Sequence, residues 1–371
     1  MATNEEFIVT ATTNITHNST FIKNSSSYNG YNEDDYYDEY NYSDYEEMCN
    51  KTNIIHFGGI LTPVFFSIVV ILSLFGNILV IVILAKYENL KSITNAFILN
   101  LAVSDLFFTA GLPFWAYHHM YGWTLGVTAC QMVNFTFYVG FYSSGFLLML
   151  MTAHRYIAVI KPLSGIVSTT GCYSVLASVL IWVVSTLFAI PAYIFTVVQD
   201  GNKCVYVNSY WNLWGTYLQN TLFVVSAVVF IFCYSQIMCR LLRPTPQRRK
   251  SKTLKLIFTL MVVFFMGWGP YNIVIFLQSF SFWTQPPADS EELLQNCETS
   301  KRLDYAFAVT RLFAFSHCCL NPVFYVFVGI KFKNHLKKML KSLGHSSTGS
   351  IRSRQSRLTI TSLTSGEEFS M

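Results

Sequence analysis

Residues 130–162 read CQMVNFTFYVGFYSSGFLLMLMTAHRYIAVIKP. An apolar run of this length exceeds the roughly 20 residues that span a hydrocarbon core, and it ends in His154-Arg155-Tyr156. A central arginine in a membrane helix costs ~2.5–3.5 kcal/mol, so ionisable groups persist there mostly where they face a bundle interior and perform a task. Near a helix end the same side chain can instead snorkel to the headgroups. Arg155 fits either description, and the other segments of the chain decide its weight.

Composition points the same way. The 371 residues are 52% hydrophobic, 16% aromatic and only 12% charged, against roughly 25% charged in an ordinary soluble domain. These proportions predict a membrane protein. Seven apolar segments are long enough to cross a bilayer, at about 58–86, 94–121, 130–160, 171–195, 211–240, 252–282 and 302–328. In lipid every backbone polar group must be satisfied within the protein, which leaves helices or closed barrels, and continuous runs are not the alternating strands of a barrel. The fold expected is an all-α, seven-transmembrane helix bundle over 56–330, with its termini on opposite sides of the membrane.

Lysine and arginine orient it. The connections after segments 1, 3 and 5 carry Lys86 and Lys91, then Lys161, then Arg240, Arg243, Arg248, Arg249, Lys250, Lys252 and Lys255. The alternate connections hold Asp200, Asp289, Glu291, Glu292 and Glu298, so the positive-inside rule places the N-terminus outside. Residues 1–55 are polar, acidic and aperiodic, hence expected to be a disordered extracellular tail. Met1-Ala-Thr-Asn-Glu-Glu6 has neither the basic start nor the apolar core of a signal peptide, so the first membrane helix is expected to serve as an uncleaved signal. Glycosylation sequons at Asn14, Asn18, Asn24, Asn41 and Asn50 all fall in this tail, whereas the one at Asn134 lies inside a predicted helix and should be unused.

Of nine cysteines, Cys49, Cys130, Cys204 and Cys297 fall on the predicted outer side, where disulfides form. Two bridges are expected, and four cysteines allow three pairings. Cys172, Cys233, Cys239, Cys318 and Cys319 lie in helices without metal-ligand spacing, so no structural metal is expected. Neither a nucleophile–base set nor a metal motif supports an enzyme, and the absence of an inverted repeat argues against a transporter.

Polar landmarks punctuate the helices: Gly76-Asn77, Asn100-Leu-Ala-Val-Ser-Asp105, Trp182, Trp268-Gly-Pro270 and Asn321-Pro322-Val-Phe-Tyr325. Singly, each could be a helix cap or a kink. Their joint order resembles the rhodopsin-like class of G protein-coupled receptors over residues 58–343. Within that class, Leu112-Pro-Phe-Trp115, Trp123, Ser316-His-Cys-Cys-Leu-Asn321 and the acidic, tyrosine-rich tail with its own cysteine are similar to chemokine receptors. The XC type, receptor for lymphotactin, is the best match, on Trp268-Gly-Pro-Tyr-Asn272, Arg311, Ser226 and His154. The run Tyr36-Tyr-Asp-Glu-Tyr-Asn-Tyr-Ser-Asp-Tyr45 departs from that type's shorter tail.

The resemblance implies the pairings Cys130–Cys204 and Cys49–Cys297, a lymphotactin-like or CC-like chemokine ligand and a heterotrimeric G protein, with chemotaxis and calcium flux downstream. Residues 31–47 hold eight acids and no base. Such a segment is solvated in any case, but sulfation of Tyr36, Tyr37, Tyr40, Tyr42 and Tyr45 would add charge that steers a basic chemokine. A second ligand contact is expected at Trp115, Phe137, Tyr138, Tyr271 and Arg311. Arg311 stands where most relatives carry an acid, so either the charge expected of the ligand's buried end is inverted or the arginine pairs with Asp289, Glu291 or Asp304.

At the inner side, the resemblance makes His154, Arg155, Tyr156, Tyr234, Trp268, Pro270, Asn321, Pro322 and Tyr325 an activation switch. His154 replaces the usual acid, so Arg155 lacks that partner. Asp105, Ser144, His317 and Asn321 resemble a pocket for an allosteric Na⁺, no other cofactor being expected. Residues 331–343 place Phe332, Leu336, Met339 and Leu340 on one face and bases on the other, an amphipathic helix for the membrane interface. The tail 344–371 is dense in Ser and Thr and suits receptor kinases and arrestin; no nucleic-acid partner is expected. A scavenging receptor that internalises chemokine without a G protein is the alternative, motivated by His154 and Ile157-Ala-Val-Ile160.

Overall fold

The computed structural model describes residues 49–90, 92–160, 170–199, 202–241, 251–280, 290–328, 332–339 and 341. Helices α1 (Thr52–Tyr87), α2 (Ile93–Tyr121), α3 (Gly126–Ile160) and α4 (Thr170–Ile194) come first. A hairpin, β1 (Thr196–Gln199) and β2 (Lys203–Tyr206), leads into α5 (Ser209–Leu241), α6 (Ser251–Phe280), α7 (Ser290–Phe315) and α8 (His317–Val328), and α9 spans 332–339. Six of these, α1 to α6, are long and apolar enough to cross a membrane. The seventh crossing is split at Ser316, yet hydrogen bonds from Ser316 N to Leu312 O and from Leu320 N to Ser316 O carry the ladder through the turn. Its first half bears Glu298, Lys301, Arg302 and Asp304, which is why composition alone undervalues it.

Two boundaries differ from expectation. Helix α1 starts at Thr52, inside the stretch assigned to the tail, and the Asn50 side chain just before it accepts from Thr52 N at 2.9 Å. Helix α7 begins at Ser290 rather than near 302, lifted beyond the apolar run by Cys297, which is bonded to Cys49.

Burial follows helical period. In α4 the buried positions are Ser174, Ala177, Ile181, Ser185, Ala189 and Ala192, while Val175, Leu176, Val179, Leu180, Val183 and Leu187 lie exposed. A stripe of small residues facing inward and branched aliphatics facing outward is the pattern of a helix whose solvent is lipid. Small residues set the closest approaches elsewhere too. A Cβ on Gly140 of α3 would stand 2.4 Å from the backbone nitrogen of Phe108 in α2.

Proline and asparagine act together between α1 and α8. Pro322 has no N–H for the carbonyl of Cys318 one turn earlier. Asn77 Nδ2 donates to that oxygen at 2.8 Å and Ser73 Oγ at 3.3 Å, so α1 satisfies the bond that the proline removes. Gly76 makes room for the proline ring, whose Cβ would lie 2.9 Å from any side chain placed there.

The hairpin was not anticipated. Thr196 pairs with Tyr206 and Val198 with Cys204 in antiparallel register. Cys204 is bonded to Cys130 near the start of α3, so the strands are tied across the disulfide end of the bundle. Gly122, at φ 72, ends α2, and buried Trp123 donates from Nε1 to the Gly126 carbonyl while its backbone nitrogen reaches Asn202 O.

Candidate functional site

Below the hairpin, the aromatic residues expected to receive a ligand are brought together. Phe137 and Tyr138 come from α3, Trp115 from α2, Tyr271 from α6 and Arg311 from α7, and all five are buried. Phe137 stands edge-on to Tyr138 at 5.7 Å and against Phe315 at 5.3 Å, with Tyr271 6.2 Å from Phe315. Trp115 lies to one side, tilted against Trp123 at 6.1 Å. Tyr138 hydrogen-bonds Tyr206 of β2, which joins the hairpin to the chamber.

Arg311 is 1% exposed. Its Nη2 donates to Thr62 of α1 at 3.1 Å, and the guanidinium lies 5.2 Å from the Phe307 ring and 6.0 Å from Phe66. Asp304, one of the acids considered for it, is held elsewhere: Lys51 Nζ lies 2.7 Å from Oδ2, and Gln278 donates to Oδ1 at 3.2 Å. Lys51 thereby fixes the root of the tail to α7 beside the Cys49–Cys297 bridge. Asp289 falls outside the described residues, as do the sulfation candidates Tyr36, Tyr37, Tyr40, Tyr42 and Tyr45 and the sequons Asn14, Asn18, Asn24 and Asn41. Asn134 is buried, donating to Cys130 O and Cys204 Sγ.

The chamber's floor is Trp268. It touches Tyr271 at 5.7 Å, Phe315 at 6.0 Å, Phe141 at 4.6 Å and His317 at 5.3 Å. Beneath it sits Asp105. Asn321 Nδ2 donates to Oδ2 at 2.8 Å, Ser144 Oγ to Oδ1 at 3.3 Å, and His317 Nε2 is 3.9 Å from Oδ1. Ser144 is itself bonded to Ser104, which also meets Ser143 and the Gly140 carbonyl. All four residues expected to form a cation pocket are therefore adjacent.

At the far end, Arg155 Nη2 donates to Thr94 of α2. His154 is edge-on to Phe97 at 6.5 Å, Tyr156 meets Phe232 at 5.8 Å and Tyr234 packs on Phe230 and Phe258. Among the described residues no carboxylate lies in ion-pair distance of Arg155, in keeping with the missing acid at 154. Buried Tyr325 is 6.2 Å from Phe332 of α9. Pro270 and Pro322 sit inside α6 and α8.

Several participants carried no readable signal. Thr94 is an ordinary threonine near a helix start, Lys51 pairs with a residue 253 positions away, and Phe66, Phe108 and Phe315 are three among 32 phenylalanines.

Seven helical crossings carry a disulfide-tied cluster of aromatic residues at one end, an arginine at the other and a polar core between them. The chain belongs to the 7 transmembrane receptor (rhodopsin family), whose family model matches residues 76–325. Chemokine XC receptor 1 of Homo sapiens is 44% identical over 286 residues, covering 77% of this chain and 83% of that protein. Chemokine XC receptor 1 of Mus musculus is 41% identical over 305 residues, covering 82% and 90%. Within the rhodopsin family the chain is thus a member of the chemokine receptor family, of the XC type; it is a multi-pass plasma-membrane protein and not an enzyme.

Proposed function

We propose that this receptor binds a basic chemokine of the XC or CC kind at the disulfide end, outside the cell, and activates a Gi-type heterotrimeric G protein that drives calcium flux and chemotaxis. The observation that carries this is a continuous run of contacts: Arg311 to Phe66, Phe66 to Phe315 at 5.6 Å, Phe315 to Trp268, Trp268 to His317, His317 to Asp105, and Asp105 to Asn321. A ligand that moves the first rings displaces the neighbours of the polar core, and Asn321 shares a helix with Tyr325, next to the end that carries Arg155.

The tail acids and sulfated tyrosines give the encounter, and the buried chamber gives the specific contact. Arg311, buried between Phe66 and Phe307, favours an acidic group on the inserted end of the ligand. Asp105, Ser144, His317 and Asn321 would hold Na⁺, which supplies a positive charge that ties α2, α3 and α8 in the resting arrangement. Ser and Thr in 344–371 serve receptor kinases and arrestin. His154 favours one competing possibility, a scavenger that internalises chemokine without G protein. Cells expressing the chain and exposed to lymphotactin should show calcium flux sensitive to pertussis toxin; specific binding and uptake without flux would transfer the function to the scavenging class.

A further inference from the structure

Lys51 stands where the acidic tail becomes α1. As the residue that caps this helix, its carbonyl accepts from Ile54 N at 2.9 Å and from Ile55 N at 3.1 Å. Its ammonium crosses to α7, 2.7 Å from Asp304 Oδ2 and 2.7 Å from Ser300 Oγ. Asp304 is itself held in place, because Gln278 of α6 donates to its other oxygen at 3.2 Å. Just before Lys51 in the chain, Cys49 is bonded to Cys297, also of α7. The root of the tail therefore reaches α7 at two points.

Surface ion pairs contribute little, and α7 has one: Glu298 and Lys301 meet at 3.8 Å with side chains 55% and 25% exposed. The pair Lys51–Asp304 differs in kind. Its partners lie 253 positions apart and their side chains are 15% and 3% exposed, so salt screens them far less. A single covalent link is a pivot about which a chain can swing, and a second attachment fixes its direction. Along α7, Cys297, Ser300, Asp304, Phe307 and Arg311 recur at steps of three and four and so share one face. Arg311 follows Asp304 by two turns, about 10 Å along the helix. The tail is thus rooted, in a set direction, on the face of α7 that carries the chamber's arginine.

We infer that Lys51 and Asp304 are positioning residues for ligand capture: by fixing the direction in which the tail leaves the bundle, they hold a tail-bound chemokine over the chamber and couple the two contacts. The inference rests on the chemokine reading given above and deepens it. A ligand already held by the tail meets the chamber at an effective concentration set by the volume it can explore, and a root that swings about one disulfide enlarges that volume.

The test compares the full-length wild type with a variant carrying Lys51→Met and Asp304→Asn together. Removing both partners avoids the strongly destabilising case of a buried charge left without its counter-ion, and the new amide still offers Gln278 an acceptor. Without ligand, amide hydrogen exchange at Ile54 and Ile55 should quicken while the thermal midpoint stays near that of the wild type. Lymphotactin affinity should fall about tenfold. The same two substitutions are then made in a receptor whose Tyr36, Tyr37, Tyr40, Tyr42 and Tyr45 are changed to Phe. There they should cost almost nothing, because the tail no longer holds a ligand to be positioned. An equal loss in both backgrounds would show a merely structural role and overturn the inference. Undiminished affinity in the first variant, or unchanged exchange at Ile54 and Ile55, would overturn it as well. Quickened exchange in a receptor whose wild type binds no chemokine would instead refute the reading on which the inference rests.

Discussion

His317 Nε2 faces Asp105 Oδ1 across 3.9 Å, while His317 Nδ1 lies 2.9 Å from the Ala314 carbonyl. A carbonyl only accepts, so in the neutral ring Nδ1 carries the proton and Nε2 turns a lone pair toward the carboxylate. With Asp105 ionised, the Na⁺ proposed above would relieve the repulsion between these two acceptors. Sodium should therefore weaken agonist binding to the wild-type receptor, and Asp105→Asn should make binding insensitive to it. Agonist affinity measured in sodium against N-methylglucamine checks this; an equal sodium effect in both proteins would show that the ion acts elsewhere.

Gly140 and Phe108 set the spacing of α2 and α3. Gly140→Ala forces a methyl group against the Phe108 backbone, whereas Gly145→Ala would meet only Leu222 Cδ2 at 3.9 Å. Overpacking of this kind costs roughly 1–3 kcal/mol and more where backbone must move. Thermal midpoints of the detergent-solubilised proteins should show a clear fall for the first substitution and almost none for the second.

Asn77 replaces the hydrogen bond that Pro322 denies to Cys318. Asn77→Leu leaves that carbonyl with Ser73 alone, and an undersatisfied buried polar group costs about 1–3 kcal/mol. Reduced thermal stability is expected, with a further fall when Ser73→Ala is added. A double variant no worse than Asn77→Leu would mean that Ser73 contributes nothing to the carbonyl.

How much of this was legible follows from what lipid forbids. With no water to take backbone hydrogen bonds, spanning helices must be long and apolar, so α1 to α6 stood out plainly. Asn77, Asp105, Trp268, Asn321 and Pro322 could be picked out because polar or proline residues in such runs need a reason. Their partners could not. That Asn77 serves the Cys318 carbonyl, that Arg155 rests on Thr94 and that Lys51 reaches Asp304 depend on contacts between distant parts of the chain. Strands as short as TVVQ and KCVY carry too little pattern to announce a hairpin, and the charges of α7 hid its first turns.

The acidic tail gives a prediction in solution. Replacing Tyr36, Tyr37, Tyr40, Tyr42 and Tyr45 by Phe removes the five sulfation candidates named above while keeping the rings. Chemokine affinity should fall at low ionic strength, and its salt dependence should flatten, because charges beyond a Debye length of ~8 Å are already screened at physiological salt. Binding by the variant that matches the wild type at low salt as well as at high salt would assign the tail no electrostatic part.

Arg155 and His154 carry the central claim. If the receptor signals, Arg155 meets the G protein, so Arg155→Ala should abolish GTP exchange and leave chemokine binding intact. His154→Asp places a carboxylate beside Arg155 in competition with Thr94; a shift of 1.4 kcal/mol in a two-state balance is about tenfold in population, enough to lower basal exchange visibly. The deciding measurement is basal and lymphotactin-stimulated GTP exchange at matched surface expression for the wild type and these two variants. Stimulated exchange in the wild type, none in Arg155→Ala and a lowered basal level in His154→Asp is the predicted result. A wild type that binds and internalises lymphotactin with no exchange at all would contradict it.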